Sequence, residues 1–236
     1  MHYTGTVYRT PYWSTFPLLQ ITQGCTHNKC KFCTMYRDVP FKMQPMEWIE
    51  QDLQEIASIA PDARTIQLLS ANPLALTYDK LAPILEMINR YLPNVAVITM
   101  YARTDNIAHK SDEDLKRLKE AGVNDLYIGV EYGLNDVLAD LNKGYSADET
   151  REQCLRLNAV GISHCDLMMP GTAGKGRGLE TAKATAAIEN EIKPRDLLTQ
   201  AFLGAFSFQR LFLLSASSDG REKYPNGVHF PVLWRS

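Results

Sequence analysis

The chain has 236 residues, of which 45% are hydrophobic and 22% are charged, so it is long enough to bury a sizeable core. Its formal net charge of -2 lacks the basic excess of proteins that bind nucleic acid or anionic membranes, and we expect neither partner. The N-terminus has no basic region followed by an apolar stretch, so we expect a cytoplasmic protein with reduced cysteines.

Short apolar or β-branched runs alternate with longer amphipathic segments along the chain. This alternation is typical of repeated βα units around a parallel sheet. Right-handed crossovers of such units form either an open doubly wound sheet or a barrel, and periodicity does not distinguish the two. The predicted strands cover residues 18–22, 65–69, 95–101, 125–130, 163–169 and 197–203.

Several helix starts carry recognisable signals. Ser111 with Asp114, and Ser146 with Glu149, have the spacing of capping boxes, in which each side chain bonds to the backbone of the other residue. Pro45 suits the first turn of a helix, where its missing N–H is not needed. These signals predict helices that begin near residues 45, 111 and 146.

No repeat, low-complexity tract or Pro/Gly/Ser linker divides the chain before Lys193. We therefore predict one domain over residues 1–204, with residues 1–17 as an N-terminal extension. Residues 205–236 show little periodicity, and we expect an irregular or aberrant C-terminal tail. The apolar window 197–216 is interrupted by Gln200, Gln209 and Arg210, which predicts soluble core and not a membrane span.

Three cysteines follow the first predicted strand. Cys25, Cys30 and Cys33 have the spacing Cys-x4-Cys-x2-Cys and lie at the strand end where βα folds gather their chemistry. Three cysteines in one loop would leave one iron of a four-iron cluster without a protein ligand, and an open metal position indicates catalysis. A zinc knuckle is the alternative, with His27 or a remote residue as fourth ligand.

The cysteine segment also resembles a known loop. It reads Gly-Cys-Thr-His-Asn-Lys-Cys-Lys-Phe-Cys-Thr-Met-Tyr over residues 24–36, and it is similar to the cluster-binding loop of the radical S-adenosylmethionine (SAM) superfamily, in a variant with four residues between the first two cysteines. The resemblance implies that Cys25, Cys30 and Cys33 bind a 4Fe-4S cluster whose unique iron takes the amino and carboxylate groups of SAM. It also implies an α/β fold, a partial (β/α)6 TIM-like barrel with parallel strands.

The same resemblance implies further cofactor-binding residues. Phe32 matches an aromatic position whose backbone lies beside the adenine, although a packing role is equally open. After the second strand the family places small residues and a glutamate that hold the amino group of SAM. This chain has Asn72 there, whose carbonyl could accept from an ammonium, but the carboxylate is missing.

Residues after the later strands complete the expected site. Arg103 could pair with a carboxylate through its planar fork, and a surface ion pair is its alternative role. Glu131 resembles the family's acidic residue that seats the cofactor, commonly through ribose hydroxyls. Gly171 lies in a Gly-rich loop similar to the motif that lets the adenine and methionine parts approach the backbone, and a plain flexible loop is the alternative.

The resemblance implies an enzyme that cleaves SAM reductively to a 5'-deoxyadenosyl radical, which abstracts hydrogen from a substrate. No catalytic residue can be named beyond the cluster ligands. The reaction needs a small electron donor such as a flavodoxin or ferredoxin. Cys154 and Cys165 are predicted to be buried apolar groups and not ligands. The competing hypothesis is a non-catalytic zinc or iron-sulfur binding protein whose tail contacts a partner.

Overall fold

The computed structural model describes residues 1–8, 16–200 and 211–214, with only the backbone of residues 200 and 211–214. The strands within these ranges are β1 (Leu18–Gln20), β2 (Thr22–Gln23), β3 (Lys42–Met43), β4 (Thr65–Leu69), β5 (Val97–Ala102), β6 (Val123–Gly129), β7 (Ser163–Met168), β8 (Asp196–Gln200) and β9 (Leu211–Leu214). The helices are α1 (Met46–Ile59), α2 (Tyr78–Tyr91), α3 (Thr104–Ala108), α4 (Asp112–Glu120), α5 (Asn135–Asp140), α6 (Ala147–Val160) and α7 (Gly178–Ile192), and a short 3-10 helix covers Pro73–Ala75.

The main sheet has the strand order β1-β4-β5-β6-β7-β8-β9. Every pair from β1 to β8 is parallel, and β9 runs antiparallel to β8. A doubly wound sheet would reverse its strand order at a switch point, whereas this order follows the chain without reversal. The fold is therefore the predicted partial (β/α)6 barrel, with the carboxyl ends of six parallel strands at one end.

Most predicted strands agree with the structure, but the first differs. The strands predicted at residues 65–69, 95–101, 125–130 and 163–169 match β4 to β7 within two residues. The strand predicted at residues 18–22 is broken, because β1 ends at Gln20 and Thr22 pairs instead with Met43 of β3. The chain thus leaves the parallel sheet before the cysteine loop begins and enters a small antiparallel hairpin.

The predicted tail falls mostly outside the described residues. Of the strand predicted at residues 197–203, β8 accounts for the part up to residue 200. Within residues 205–236 the structure describes only β9, a strand that the sequence analysis did not predict. The domain boundary at residue 204 stays a prediction. Within the described ranges, no helix combines the length and apolar character needed to cross a membrane.

The core lies between the sheet and the helices that cover it. Ile49, Leu53 and Ile56 of α1 are buried there, as the helical period predicts. They join Leu81, Leu85 and Ile88 of α2 in one continuous cluster with the sheet. Burying each such side chain contributes about 1.5–3 kcal/mol to the stability of the fold. The two helices therefore hold in place the sheet whose strand ends carry the loops. A smaller cluster on the opposite side of β6, β7 and β8 contains Tyr127, Cys165 and Leu198.

Both predicted capping boxes are confirmed. At the start of α4, Asp114 N–H donates to Ser111 Oγ over 3.0 Å. At the start of α6, Glu149 N–H donates to Ser146 Oγ over 3.1 Å, and Ser146 N–H donates to Glu149 Oε2 over 2.7 Å. Pro45 lies one position before the first helical residue of α1 and not inside its first turn.

We expect Ser146→Ala to lower the free energy of unfolding by about 1 kcal/mol, because a backbone donor of α6 loses its acceptor. Urea denaturation followed by circular dichroism measures the change. Ser146→Asn is the matched control, since asparagine is an equally good N-cap and adds no negative charge beside Glu149, and it should remain near wild type. An equal loss in both variants would contradict the assignment.

Candidate functional site

The three clustered cysteines lie in the connection between β2 and β3. Cys25, Cys30 and Cys33 are unpaired thiols, each partly accessible to solvent. Burial raises the pKa of the Cys33 thiol, and the nearby Cys30 and Cys25 raise that pKa further. Cys33 therefore lies within electrostatic reach of the other two cysteines.

Gly24 fixes the entry into this loop. Its φ is 72°, a left-handed value that side chains disfavour. A Cβ on this residue would lie 2.5 Å from the carbonyl oxygen of Val39 and 2.6 Å from that of Pro40. Ser70 Oγ also donates to the Gly24 carbonyl over 3.0 Å. Only glycine fits this close crossing of two backbone segments.

Asn72 holds the loop from the end of β4. Its Oδ1 accepts from Thr26 N–H over 3.3 Å, and its Nδ2 donates to Thr26 Oγ1 over 2.5 Å and to Asn106 Oδ1 over 3.0 Å. The side chain is fully buried. The structure thus gives Asn72 a contact with the cysteine loop, while its expected bond to the amino group of SAM stays a prediction.

The turn between α5 and α6 holds the loop from the other side. Lys31 N–H donates to the Leu141 carbonyl over 3.0 Å, and Asn142 Nδ2 donates to the Lys29 carbonyl over 2.9 Å. His27 Nε2 lies 2.6 Å from the Asn142 carbonyl and therefore donates to it. Burial lowers the pKa of His27. The bond occupies Nε2 and orients the ring, and Nδ1 is the nitrogen with which His27 would bind zinc in the alternative considered above.

Arg103 extends from the end of β5 toward the cysteines. The side chain is 7% exposed and pairs with Asp105, with Nε 3.0 Å from Oδ1. Its Nη2 donates to the Lys143 carbonyl over 2.7 Å, and its Nη1 lies 4.0 Å from Cys30 Sγ. The guanidinium also stacks over the Tyr145 ring. Arg103 is therefore not in a surface ion pair, because its charge is buried beside a cysteine.

A second buried cation lies beside Arg103. Lys143 Nζ is 3.0 Å from Glu131 Oε1, and the two side chains are 6% and 8% exposed. Burial alone would lower the pKa of Lys143, but Glu131 and Tyr145 outweigh it and raise that pKa, so the ammonium stays charged. Glu131 has a left-handed φ of 64°, which costs free energy in a non-glycine residue and marks functional sites.

Phe32 and Gly171, the other two predicted cofactor-binding residues, lie in different surroundings. Lys143 Nζ lies 5.6 Å from the centre of the Phe32 ring, which places Phe32 within the same charged environment. Gly171 is exposed with a φ of 101°. Its loop is tied to Tyr132, whose hydroxyl donates to the Met169 carbonyl over 2.6 Å. No described contact joins Gly171 to the cysteine loop.

Sequence reasoning missed Lys143, Tyr145 and Asp105 as parts of this site. Tyr145 donates its hydroxyl to the Gly129 carbonyl over 2.6 Å and lies under both cations. Lys143 stands in a polar turn between two helices, where a lysine is ordinarily a solvated surface residue. The available signal was its short separation in sequence from Glu131, which lies twelve residues earlier.

We expect Lys143→Met to lower the free energy of unfolding by about 3–5 kcal/mol, because the Glu131 carboxylate would be left buried and unpaired. Urea denaturation under anaerobic, reducing conditions measures the loss. Adding Glu131→Gln to the same chain should restore part of the lost free energy of unfolding. Arg151→Met, which breaks an exposed ion pair with Glu191, should cost less than about 1 kcal/mol. A similar cost for both single variants would show that the buried pair is not formed.

Comparison with known proteins agrees with this geometry. The family model described as the radical SAM superfamily matches residues 19–175. The haem chaperone HemW of Bacillus subtilis (strain 168) is 29% identical over 158 residues, which are 64% of this chain and 41% of that protein. The chain thus spans less than half of this curated relative.

Solved structures show the same fold at low sequence identity. The radical SAM methyltransferase TsrM from Kitasatospora setae, with cobalamin and a [4Fe-4S] cluster bound, has a TM-score of 0.63 at 14% identity, over 79% of this chain and 34% of that one. Coproporphyrinogen III oxidase HemN from Escherichia coli has a TM-score of 0.57 at 13% identity, over 79% of this chain and 44% of that one. With most of its length matched by the family model, the chain belongs to the radical SAM superfamily.

Proposed function

We propose that this chain is an enzyme that holds a 4Fe-4S cluster through Cys25, Cys30 and Cys33 and cleaves SAM reductively to abstract hydrogen from a substrate. The observation that carries the proposal is the cysteine loop itself, since its three thiols are partly accessible and its backbone is tied to the ends of the barrel strands. Membership of the radical SAM superfamily brings both cofactors with it.

The donor set fits an iron-sulfur cluster. Thiolates are the usual ligands of such clusters, and the loop offers three of them without a fourth cysteine beside them. Gathering three thiolates accumulates negative charge, which nearby cations stabilise. Arg103 and Lys143 are buried cations of this kind, and Arg103 Nη1 reaches 4.0 Å from Cys30 Sγ. The same cations would also stabilise the additional negative charge that the cluster gains on reduction.

We propose that the other predicted residues bind SAM. Lys143 bonds to Oε1 of Glu131, so the second carboxylate oxygen can serve the ribose hydroxyls. Phe32, between the second and third cysteines, offers its backbone to the adenine, and Gly171 allows close approach from the opposite loop. Asn72 and Arg103 lie at the ends of β4 and β5, where they can orient the amino and carboxylate groups of the methionine part.

When bound, the reduced cluster supplies the electron that splits SAM into methionine and a 5'-deoxyadenosyl radical. The chain's own residues would orient SAM and exclude water from the site. We propose a small one-electron donor, such as a flavodoxin or ferredoxin, as the physiological reductant. Residues 1–204 would form the catalytic domain, with residues 1–17 as an extension of it.

The reaction class is tested by incubating the anaerobically reconstituted protein with dithionite and SAM. We expect 5'-deoxyadenosine and methionine to accumulate, because dithionite would supply the electron and the radical would take a hydrogen atom from buffer or protein in the absence of substrate. Liquid chromatography with mass detection measures both products. Cys30→Ala should reduce them to the level without protein. If wild type and Cys30→Ala give equal amounts, the proposal is wrong.

The loop geometry predicts that Gly24→Ala prevents cluster binding, since the added methyl group collides with the carbonyls of Val39 and Pro40. Iron and sulfide analysis should give about four of each per wild-type chain and a small fraction of that in the variant. Gly178→Ala is the control, because a Cβ there meets no atom within 4 Å. Zinc in place of iron that is present in wild type and lost in Cys30→Ala would support the non-catalytic alternative, because such zinc must lie in the cysteine loop.

A further inference from the structure

A second group of metal-ligand side chains is buried on the helix side of β7. His164 and Asp166 are two residues apart on this strand and therefore share a face, whereas Cys165 between them joins the cluster on the other face. Cys154 reaches the same place from α6. One ligand atom from each of Cys154, His164 and Asp166 lies within 4.8 Å of the other two. Their exposed fractions are 0%, 1% and 0%.

A polar atom in this group lacks a partner. His164 Nδ1 lies 2.8 Å from Asp166 Oδ1, but within the described structure His164 Nε2 is buried without any hydrogen bond. Glu189 of α7 lies beside Asp166, and its carboxyl group forms a hydrogen bond with Asp166 when it carries a proton. A buried polar atom without a partner is unfavourable. His164 Nε2, in the same group as the Cys154 sulfur and the Asp166 carboxylate, is therefore available to a bound ion.

The buried charge of Asp166 also favours a cation. Among the described ion pairs, Asp166 pairs with His164, and both side chains are fully buried. A buried carboxylate needs a positive partner or a proton, and a metal ion held by His164 and Asp166 would supply that positive charge.

We propose that Cys154, His164 and Asp166 form a binding site for one divalent transition-metal ion of the zinc type. Sulfur, imidazole and carboxylate ligands together are typical of Zn2+, whereas Mg2+ and Ca2+ prefer oxygen ligands alone. All three side chains are buried, so the ion is closed off from substrate and has a structural role. The ion would join α6 and β7, independently of the proposed SAM chemistry.

The competing explanation is that Asp166 and Glu189 share a proton and bind no metal. The two explanations differ in what the protein retains after dialysis. The test uses the full chain with Cys25, Cys30 and Cys33 replaced by serine, so that zinc cannot occupy the first loop. After chelator treatment, this parent variant is dialysed against Zn2+ or Co2+, and its metal content is measured by mass spectrometry.

We expect the parent variant to retain about one Zn2+ per chain and, with Co2+, to show sulfur-to-cobalt charge-transfer absorption. Adding Cys154→Ser should abolish that absorption and weaken zinc binding by at least about 100-fold, beyond the effect of losing an outer-shell partner. Cys165→Ser is the matched control, because this cysteine is also buried on β7 but faces away, and it should retain both properties.

Stability provides a second readout. Zn2+ should raise the melting temperature of the parent and of the Cys165→Ser variant, but not of a His164→Gln or Cys154→Ser variant. If Cys154→Ser fails to fold, the cobalt spectrum of the parent and the His164→Gln comparison still decide the question. The proposal is overturned if the parent retains no metal, or if its cobalt complex shows no sulfur-to-cobalt absorption. Equal metal retention by Cys154→Ser and Cys165→Ser overturns it as well.

Discussion

The site depends on keeping positive charge buried beside cysteine side chains. A lone lysine or arginine in such a place would lose its hydration without compensation, at a cost of several kcal/mol. Here each cation has an acidic partner, Asp105 for Arg103 and Glu131 for Lys143, and Tyr145 lies under both. Each acidic partner offsets the free-energy cost of burying its cation. The buried cations still lie beside the cysteine loop. The ion pair with Lys143 also helps to hold Glu131 in its left-handed backbone conformation, which is unfavourable for a non-glycine residue.

The barrel supplies the positions for this arrangement. Glu131 comes shortly after β6, Arg103 directly after β5 and Asn72 shortly after β4, so three consecutive strand ends present three polar side chains at one edge. The cysteine loop has no regular secondary structure of its own in residues 24–41. Its conformation comes instead from bonds to the neighbouring strand ends and to the turn after α5. Rigid strands thus determine the position of an irregular loop, as is common in enzymes.

Sequence reasoning located the strands and the capping boxes because their signals are local. Alternating apolar runs and Ser-x-x-Asp or Ser-x-x-Glu spacings report on a few adjacent residues. It failed where distant residues compete, as at Thr22, which leaves the strand predicted at 18–22 to pair with Met43. The partnership of Lys143 with Glu131, and the meeting of Cys154 with His164, depend on how helices pack on the sheet. Neither a lysine in a turn nor a cysteine on a helix reveals such a neighbour by itself.

The anchoring of the cysteine loop has a consequence for biosynthesis. Lys29 and Lys31 bond to Asn142 and Leu141, so the loop cannot reach its final conformation until the ribosome has produced residues more than a hundred positions downstream. During that interval the nascent thiols are unprotected from oxidants and from adventitious metals. A loop held in this way takes its final conformation only after most of the barrel has been synthesised, which makes its folding a late step in the maturation of the chain.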